Sequence, residues 1–198
     1  MKTFEKVQKA LEERGYRVRV FPSGAAAADY LDETLAGKTV GFGGSMTLKD
    51  LQLYERLSVR NQVIWHWTQE AKSARRKAMG TDVYLTSVNA LAETGELVNI
   101  DGTGNRTAAT LFGHETVYFV IGRNKLTPSY EEAVWRARNV AAPKRAKQMG
   151  QKTPCAVNCD RCYDCKSPER ICRGLVTLWG PMMGMEAEVL LVDEDLGL

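Results

Sequence analysis

Five cysteines carry the most specific chemical signal in this sequence. The first 154 of the 198 residues contain none, and all five lie between Cys155 and Cys172. Thiolates are soft donors that bind zinc or iron–sulfur clusters, and closely spaced thiolates can converge on one centre from a single loop. We therefore expect a metal centre in segment 151–173, with these candidate ligands: Cys155, Cys159, Cys162, Cys165 and Cys172.

The spacing of the cysteines does not decide which metal they bind. Cys159, Cys162 and Cys165 repeat the spacing of the first three ligands of a bacterial ferredoxin, but the next cysteine follows after six residues instead of three. A [4Fe-4S] cluster and a zinc ion that staples the loop both remain alternatives. Disulfides are disfavoured in a reducing cytoplasm, and an odd number of cysteines would leave one thiol unpaired. A set of four metal ligands would likewise leave one cysteine spare.

A glycine-rich turn offers a second site. The segment 43–47 reads Gly-Gly-Ser-Met-Thr and runs from a predicted strand into a predicted helix. Free backbone N–H groups and two hydroxyls at a helix N-terminus would form a pocket for phosphate or carboxylate. The alternative is that the glycines only permit a tight turn. The ligand-binding candidates here are Gly43, Gly44, Ser45 and Thr47.

Two further polar segments follow predicted strands. Residues 101–106 place a carboxylate, an amide and a guanidinium close together, and Arg106 can bind a carboxylate or phosphate through two parallel hydrogen bonds. Asn124 and Lys125 come at the carboxyl end of a buried strand, where ligands of open α/β sheets gather. Taken alone, Lys125 is typical of a surface residue. His66 matches no nucleophile or zinc-protease pattern, and its tryptophan neighbours are typical of a core or an interface.

Composition limits the classes of function. The 44% hydrophobic content is enough to bury the core of one domain, and no run of about 18 apolar residues predicts a membrane span. The amphipathic N-terminus is not a signal peptide, so we expect one cytoplasmic domain over residues 1–198. Lys and Arg outnumber Asp and Glu by only 27 to 24, which gives little general attraction to polyanions. A nucleic-acid interface would have to rest on one basic stretch: Arg136, Arg138, Lys144, Arg145, Lys147 and Lys152.

Helix and strand patterns alternate along the chain. The predicted helices are 2–14, 25–35, 47–57, 69–79 and 131–148, with a kink or division of the last at Pro143. The predicted strands are 16–21, 39–42, 62–67, 82–87 and 116–121, with a hairpin at 89–92 and 97–100 and two closing strands, 175–179 and 188–192, around a turn. Such alternation predicts an α/β fold with a mostly parallel sheet flanked by helices.

These motifs, taken in order, resemble the LUD (lactate utilisation) domain family. The segments that carry the resemblance are 43–47, Asn89-Ala90, Gly95-Glu96, 101–106, 122–125 and the closing Cys-containing run 153–172. The last run is similar to that of the short, cysteine-containing branch of the family. The resemblance implies a fold like that of the glucosamine-phosphate deaminase, ribose-phosphate isomerase and CoA-transferase group. It also implies that Cys155, Cys162, Cys165 and Cys172 are the ligands, with Cys159 as an addition.

Three functions are compatible with these features. The first is a redox or electron-transfer component that contains an iron–sulfur cluster and binds a small anionic metabolite. Its expected protein partners are a redox partner protein and a second copy of the chain in a homo-oligomer. The second is a zinc-stapled isomerase, hydrolase or transferase, with Asp101 or Glu93 as general base and Lys125 or Arg106 stabilising developing negative charge. The third, which we expect least, is a nucleic-acid-binding module. The candidate ligand-binding residues in the first two are those of segment 43–47 together with Asn89, Gly102, Gly104, Asn105, Arg106 and Asn124.

Overall fold

The computed structural model describes residues 4–198, so the predicted start of the first helix at Lys2 lies outside the described residues. The first half of the chain contains α1 (Glu5–Glu13), β1 (Arg17–Phe21), α2 (Gly24–Thr34), β2 (Thr39–Phe42), α3 (Met46–Asp50), α4 (Leu53–Leu57), β3 (Gln62–Trp65), α5 (Ala71–Ala78), β4 (Val83–Thr86), β5 (Ala90–Ala92) and β6 (Leu97–Asp101). The second half contains α6 (Asn105–Ala109), β7 (Thr116–Gly122), β8 (Leu126–Thr127), α7 (Tyr130–Arg136), α8 (Ala142–Gln148), α9 (Pro154–Asn158), β9 (Gly174–Leu178) and β10 (Glu186–Val192).

The main sheet is parallel throughout and has the strand order β1-β10-β7-β4-β2-β3. Side chains of successive strand residues point to opposite faces, so each face packs its own core. On one face Phe42, Leu85 and Val120 pack with α2, α3 and α4, and on the other Phe119 and Leu191 pack with α1. The α/β class with a mostly parallel sheet flanked by helices is confirmed.

A second sheet has the order β8-β5-β6-β9 and packs against α7 through small residues such as Ala90 and Ala133. The two strands that the sequence predicts at the end of the chain, β9 and β10, lie in different sheets. The strand β9 pairs antiparallel with β6, whereas β10 inserts into the main sheet between β1 and β7. Both predicted closing strands are present with a turn between them. Their apolar patterns are alike, so the sequence does not indicate that they belong to different sheets.

Two predicted helices are interrupted. The expected helix 47–57 is divided into α3 and α4 by Gln52, whose φ of 52° lies in the left-handed region. The expected helix 131–148 is continuous in direction but contains a π-helical turn at Ala137–Ala141, just before Pro143. Proline lacks an N–H and its ring crowds the preceding turn, so the wider turn accommodates it. Among the described residues, no helix is both long and apolar enough to cross a membrane.

Parallel pairing brings the carboxyl ends of β2, β3, β4 and β7 to one edge of the sheet. The segments that leave this edge are 43–45, His66-Trp67, Ser87 and 123–125. Most of the predicted polar residues therefore gather at one place, as expected for ligand sites of open α/β sheets.

Candidate functional site

The carboxyl edge of the main sheet contains a cleft made of two cavities. The outer cavity, about 390 Å³, lies between the residues after β3, the loop 101–106 and the Cys-rich segment. The inner cavity, about 60 Å³, lies deeper and is lined by Ser45, Ser87, Asn89 and Lys125 among others. The residues that line both cavities are Gly44, Trp67, Asn89, Arg106 and Arg145, so the two form one cleft.

Lys125 forms the polar end of the inner cavity. Its side chain is 3% exposed, and its ammonium donates to Thr47 Oγ1 and to Ser87 Oγ, both at 2.8 Å. The pKa of Lys125 is lowered to about 7, mainly because the ammonium is buried and to a smaller extent because the Arg136 and Arg106 guanidiniums repel it. The Asp50 carboxylate opposes this shift. The expectation of a surface lysine is wrong, because the strand β7 ends in the sheet interior. Lys125 can therefore change its charge near neutral pH.

Arg106 lies beside the lysine and is largely buried. Its guanidinium donates to Asn89 Oδ1 at 2.9 Å and to the carbonyl oxygen of Ile100 at 2.6 Å. Gly43 makes room for it, since an added Cβ there would lie 3.2 Å from Arg106 Cγ and 2.9 Å from Thr86 Oγ1. Burial lowers the pKa of Arg106, but a guanidinium stays protonated in proteins. It is a fixed positive charge in the wall of the cleft.

The glycine-rich turn contributes to the cleft differently from the expectation. Ser45 Oγ accepts from the backbone N–H of Leu48 and caps α3, and the N–H of Gly43 donates to the carbonyl oxygen of Leu85 at 2.9 Å. These groups are occupied within the chain, and α3 has only five residues. Gly44 lines both cavities, and Thr47 reaches the site through Lys125. Positive charge at this end of the cleft therefore comes from the side chains around the turn and not from a helix terminus.

Asp101 organises the loop that forms one side of the outer cavity. Its Oδ1 accepts from the backbone N–H groups of Thr103 and Gly104, and its Oδ2 accepts from that of Thr107 at 3.1 Å. Gly104 precedes α6 with a φ of +86°, in the left-handed region that favours glycine. The sequence pattern did not predict this helix. Gly102 and Asn105 line the outer cavity with Asp101. Both oxygens of this carboxylate hold backbone groups, which favours a positioning role.

Two predicted site residues lie apart from the cleft. Glu93 forms an exposed ion pair with Lys6 at 2.7 Å and lines neither cavity, so its assignment as a general base receives no geometric support. Asn124 Oδ1 accepts from the backbone N–H of Leu196 at 3.1 Å, which ties the segment after β7 to the C-terminal residues. It positions Lys125 through the backbone and does not face the cleft.

Sequence reasoning missed several residues of the outer cavity, and His66 and Arg75 are two of them. His66 faces it from the end of β3, and burial together with the repulsion from Arg75 lowers the pKa of His66 to about 4, so the ring is neutral at pH 7. The Nε atom of Arg75 is buried and has no hydrogen-bond partner within residues 4–198. The rule that ligands gather at strand carboxyl ends could have indicated His66. No sequence signal distinguishes Arg75 from the other basic residues of α5.

Four of the five cysteines surround a separate small cavity, which we call the thiol cavity. Its lining includes Cys155, Cys162, Cys165 and Cys172, whereas Cys159 is exposed and does not reach it. All five are free thiols. Within residues 4–198, no three Cys, His, Asp or Glu side chains lie close enough together to hold one metal ion. The predicted ligands are thus gathered, but a metal centre is not demonstrated.

Hydrogen bonds fix the irregular loop that carries these thiols. The backbone N–H of Asp164 donates to Cys162 Sγ at 3.3 Å, and Arg138 approaches the same sulfur at 3.9 Å. Arg170 donates to the carbonyl oxygens of Cys165 and Cys172, both at 2.8 Å. Such N–H donors and guanidiniums stabilise negative charge on sulfur.

The thiol cavity and the cleft share a wall. Ala142, Arg170 and Ile171 line both the thiol cavity and the outer cavity. Gly102 of the loop 101–106 lies directly against the backbone of Ile171, where an added Cβ would be 2.5 Å from the carbonyl oxygen. The Cys-rich segment is therefore part of the cleft wall and not an independent appendage.

We expect Gly102→Ala to disturb this junction. The new methyl group cannot fit against the Ile171 carbonyl, so the two loops must separate, at a cost of about 1–3 kcal/mol. Urea denaturation should show the loss of unfolding free energy. Gly174→Ala in β9 is the matched control, because nothing lies within 4 Å of its added Cβ, and its stability should be unchanged or slightly higher. Equal stability of the two variants would contradict the close packing of these loops.

Fold and site together define an α/β protein with a parallel sheet, a cationic cleft at the strand carboxyl ends and a thiol-lined loop in the cleft wall. The family model of the LUD domain matches residues 4–192, and the chain belongs to the LUD domain family. This family takes its name from lactate utilisation. A crystal structure of a DUF162 family protein from Deinococcus radiodurans is similar in fold, with a TM-score of 0.57, 12% identity and coverage of 96% of both chains. No curated protein matches the sequence.

Proposed function

We propose that this protein is a cytoplasmic iron–sulfur protein that acts as a redox or electron-transfer component in the metabolism of small organic acids of the lactate type. The observation that carries the proposal is the wall of Ala142, Arg170 and Ile171 between the thiol cavity and the cleft. A redox group in the thiol cavity would lie next to a bound anion. The proposal retains a fold relationship to the deaminase, isomerase and CoA-transferase group, which the parallel sheet supports.

The donor set is that of a thiolate metal centre. Four thiols around one cavity are the ligand number of a [4Fe-4S] cluster. The spacing of Cys159, Cys162 and Cys165 repeats that of ferredoxin ligands, and this similarity favours the cluster over the ion. The proposed ligands are Cys155, Cys162, Cys165 and Cys172.

The remaining residues of the two cavities have supporting roles in this proposal. When bound, an iron–sulfur cluster accepts or donates single electrons. Arg138 and the N–H of Asp164 stabilise charge on Cys162, and Arg170 holds the backbone of two other ligands. Arg106 and Lys125 attract the carboxylate of a small metabolite into the inner cavity. A redox partner protein would exchange electrons at the exposed side of the Cys-rich segment.

Lys125 favours a second candidate function, a zinc-stapled isomerase, hydrolase or transferase. A buried lysine with a pKa near 7, held between Thr47 and Ser87, can exchange a proton with a substrate at neutral pH. Arg106 would stabilise negative charge that develops nearby. In this function Asp101 keeps the loop in place, since both its oxygens already accept from backbone N–H groups.

Anaerobic purification followed by metal analysis tests the two candidates. The iron–sulfur function predicts a brown protein with absorbance at about 400 nm, and with iron and acid-labile sulfide in equal amounts. A colourless protein with stoichiometric zinc would contradict it and would support the second candidate. Protein without either metal after anaerobic purification, and without uptake of either on reconstitution, would contradict both.

A further inference from the structure

We propose that the ligand of the cleft is an organic anion with at least two negatively charged groups, such as a phosphorylated hydroxy acid, and that a monocarboxylate such as lactate is not its best ligand. The inference rests on the proposed function only in that the cleft is the ligand site. It does not depend on which metal the thiols hold. It concerns the charge and size of the cleft, which are independent of the Cys-rich chemistry.

The cleft has more positive charge than its own side chains neutralise. The arginines that line the outer cavity are Arg75, Arg106, Arg145, Arg170 and Arg173. Arg106 and Arg170 lie within 4 Å of a carboxylate, on Asp101 and Asp164 respectively. In the part of the chain that the structure describes, the other three make no such ion pair. Cations that share a cavity repel one another, and an anionic ligand relieves this repulsion.

The acidic residues of the cleft do not compensate this charge. Asp101 is held by three backbone N–H groups of its own loop, and Glu169 accepts from the backbone N–H of Lys152 at 2.6 Å. Neither carboxylate lies within ion-pair distance of Arg75 or Arg145 among residues 4–198. Both arginines are instead close enough to His66 to lower its pKa. The uncompensated guanidiniums therefore face the space that a ligand would fill.

The shape of the cleft provides two places for anionic groups. The inner cavity of about 60 Å³, beside Lys125 and Arg106, has room for one small group and not for a whole substrate. The outer cavity of about 390 Å³ is within the usual size range of small-molecule sites and contains Arg75 and Arg145. A three-carbon monocarboxylate placed in the inner cavity would leave Arg75 without an anionic partner, because Arg75 lines only the outer cavity, whereas Arg145 borders both. A second anionic group on the same molecule would reach Arg75.

Aromatic stacking does not explain the outer cavity. One face of Trp67 stacks on Trp65 with ring centroids 4.9 Å apart, and the guanidinium carbon of Arg145 lies 4.7 Å from the Trp67 ring centroid. With these two neighbours the ring offers little free surface to a ligand ring. The contact also orients Arg145, which reduces the entropy that the arginine loses when it binds an anion. Recognition in this cavity is therefore mainly electrostatic.

Calorimetric titration of the purified holoprotein tests the inference. The probes are L-lactate, inorganic phosphate, succinate, 3-phosphoglycerate and pyrophosphate. We expect at least one organic dianion, most of all 3-phosphoglycerate, to bind at least tenfold more tightly than L-lactate, and its affinity to fall with added salt. Lactate binding that equals or exceeds that of both organic dianions would overturn the inference, and so would the absence of binding by both. Pyrophosphate as the tightest probe would also overturn it, since the organic part would then be irrelevant.

Two variants on α5 test whether the second anionic group of the ligand binds at Arg75. Arg75→Gln removes an outer-cavity guanidinium whose buried Nε has no hydrogen-bond partner among residues 4–198, and it should weaken binding of the dianion at least tenfold, with little effect on phosphate. Arg76→Gln is the matched control, because Arg76 is exposed on the same helix and does not line the cavity. Equal affinities of the two variants for the dianion would overturn the placement. The visible spectrum and metal content, measured on the same samples, separate this result from a failure of the proposed redox function.

Discussion

Under the proposed iron–sulfur function, replacing Cys155, Cys162, Cys165 or Cys172 by serine is expected to abolish the visible absorbance and to reduce bound metal to near zero. Each of these thiols faces the thiol cavity, and a neutral serine hydroxyl is a poor ligand for a soft metal centre. Metal binding and folding of the loop are coupled, and structural metal sites contribute on the order of 10 kcal/mol. We therefore also expect a large loss of thermal stability. Iron and zinc analysis, the visible spectrum and thermal denaturation measure these effects.

Cys159→Ser is the control for this series. Cys159 follows α9 with a φ of 56°, is exposed, and does not line the thiol cavity. Its serine variant should keep the colour, the metal content and the stability of the wild type. Loss of metal in Cys159→Ser with retention in Cys155→Ser would assign the ligands differently. Retention of metal in all five variants would show that the cysteines are not the site.

The parallel sheet could be predicted from the sequence because its strands are short apolar runs that alternate with amphipathic helices. Thr116–Gly122 is the clearest case, with six of its seven residues buried. The second sheet was predicted only in part: the hairpin of β5 and β6 follows from its turn, but the pairing of β9 with β6 does not. Its strand β9 is partly exposed and its partner β6 lies about seventy residues earlier in the chain, and local pattern contains no information on such distant pairing.

The site was predicted unevenly for a related reason. A cluster of cysteines indicates a metal or redox site by itself. Lysine and arginine are usually on the surface, so their presence in a sequence does not indicate a binding site. Lys125 is buried only because β2, β4 and β7 end side by side and enclose its side chain. Arg136 and Arg145, which we grouped with a basic surface stretch, turn inward to carbonyl oxygens and to the cleft respectively. Their orientation follows from the packing of α7 and α8, which one sequence does not reveal.

Lys125→Met is expected to make the protein's stability respond differently to pH. The pKa of Lys125 falls from 10.5 to about 7 on folding, because burial disfavours the ammonium form. Between these values the unfolded chain binds more protons than the folded one, so this residue makes the unfolding free energy rise with pH. The unfolding free energy of the wild type minus that of the variant should therefore increase by about 1.4 kcal/mol per pH unit above pH 7. Urea denaturation at pH 7, 8 and 9 measures the difference.

Lys49→Met is the matched control, since it removes a lysine that is exposed on α3 and does not line the inner cavity. Its difference from the wild type should not change with pH. A difference for Lys125→Met that is also constant from pH 7 to 9 would mean that Lys125 remains charged in the folded protein.

The same titration connects stability to ligand binding. An anion in the inner cavity stabilises the ammonium form of Lys125, so binding near pH 8 should be accompanied by proton uptake and should weaken as the pH rises. Calorimetry in buffers of different ionisation enthalpy measures the protons taken up. Lys125→Met should bind the anion more weakly and without proton uptake, while Arg75→Gln should bind weakly but still take up a proton. That contrast separates a lysine whose protonation is linked to binding from an arginine that contributes only a fixed charge.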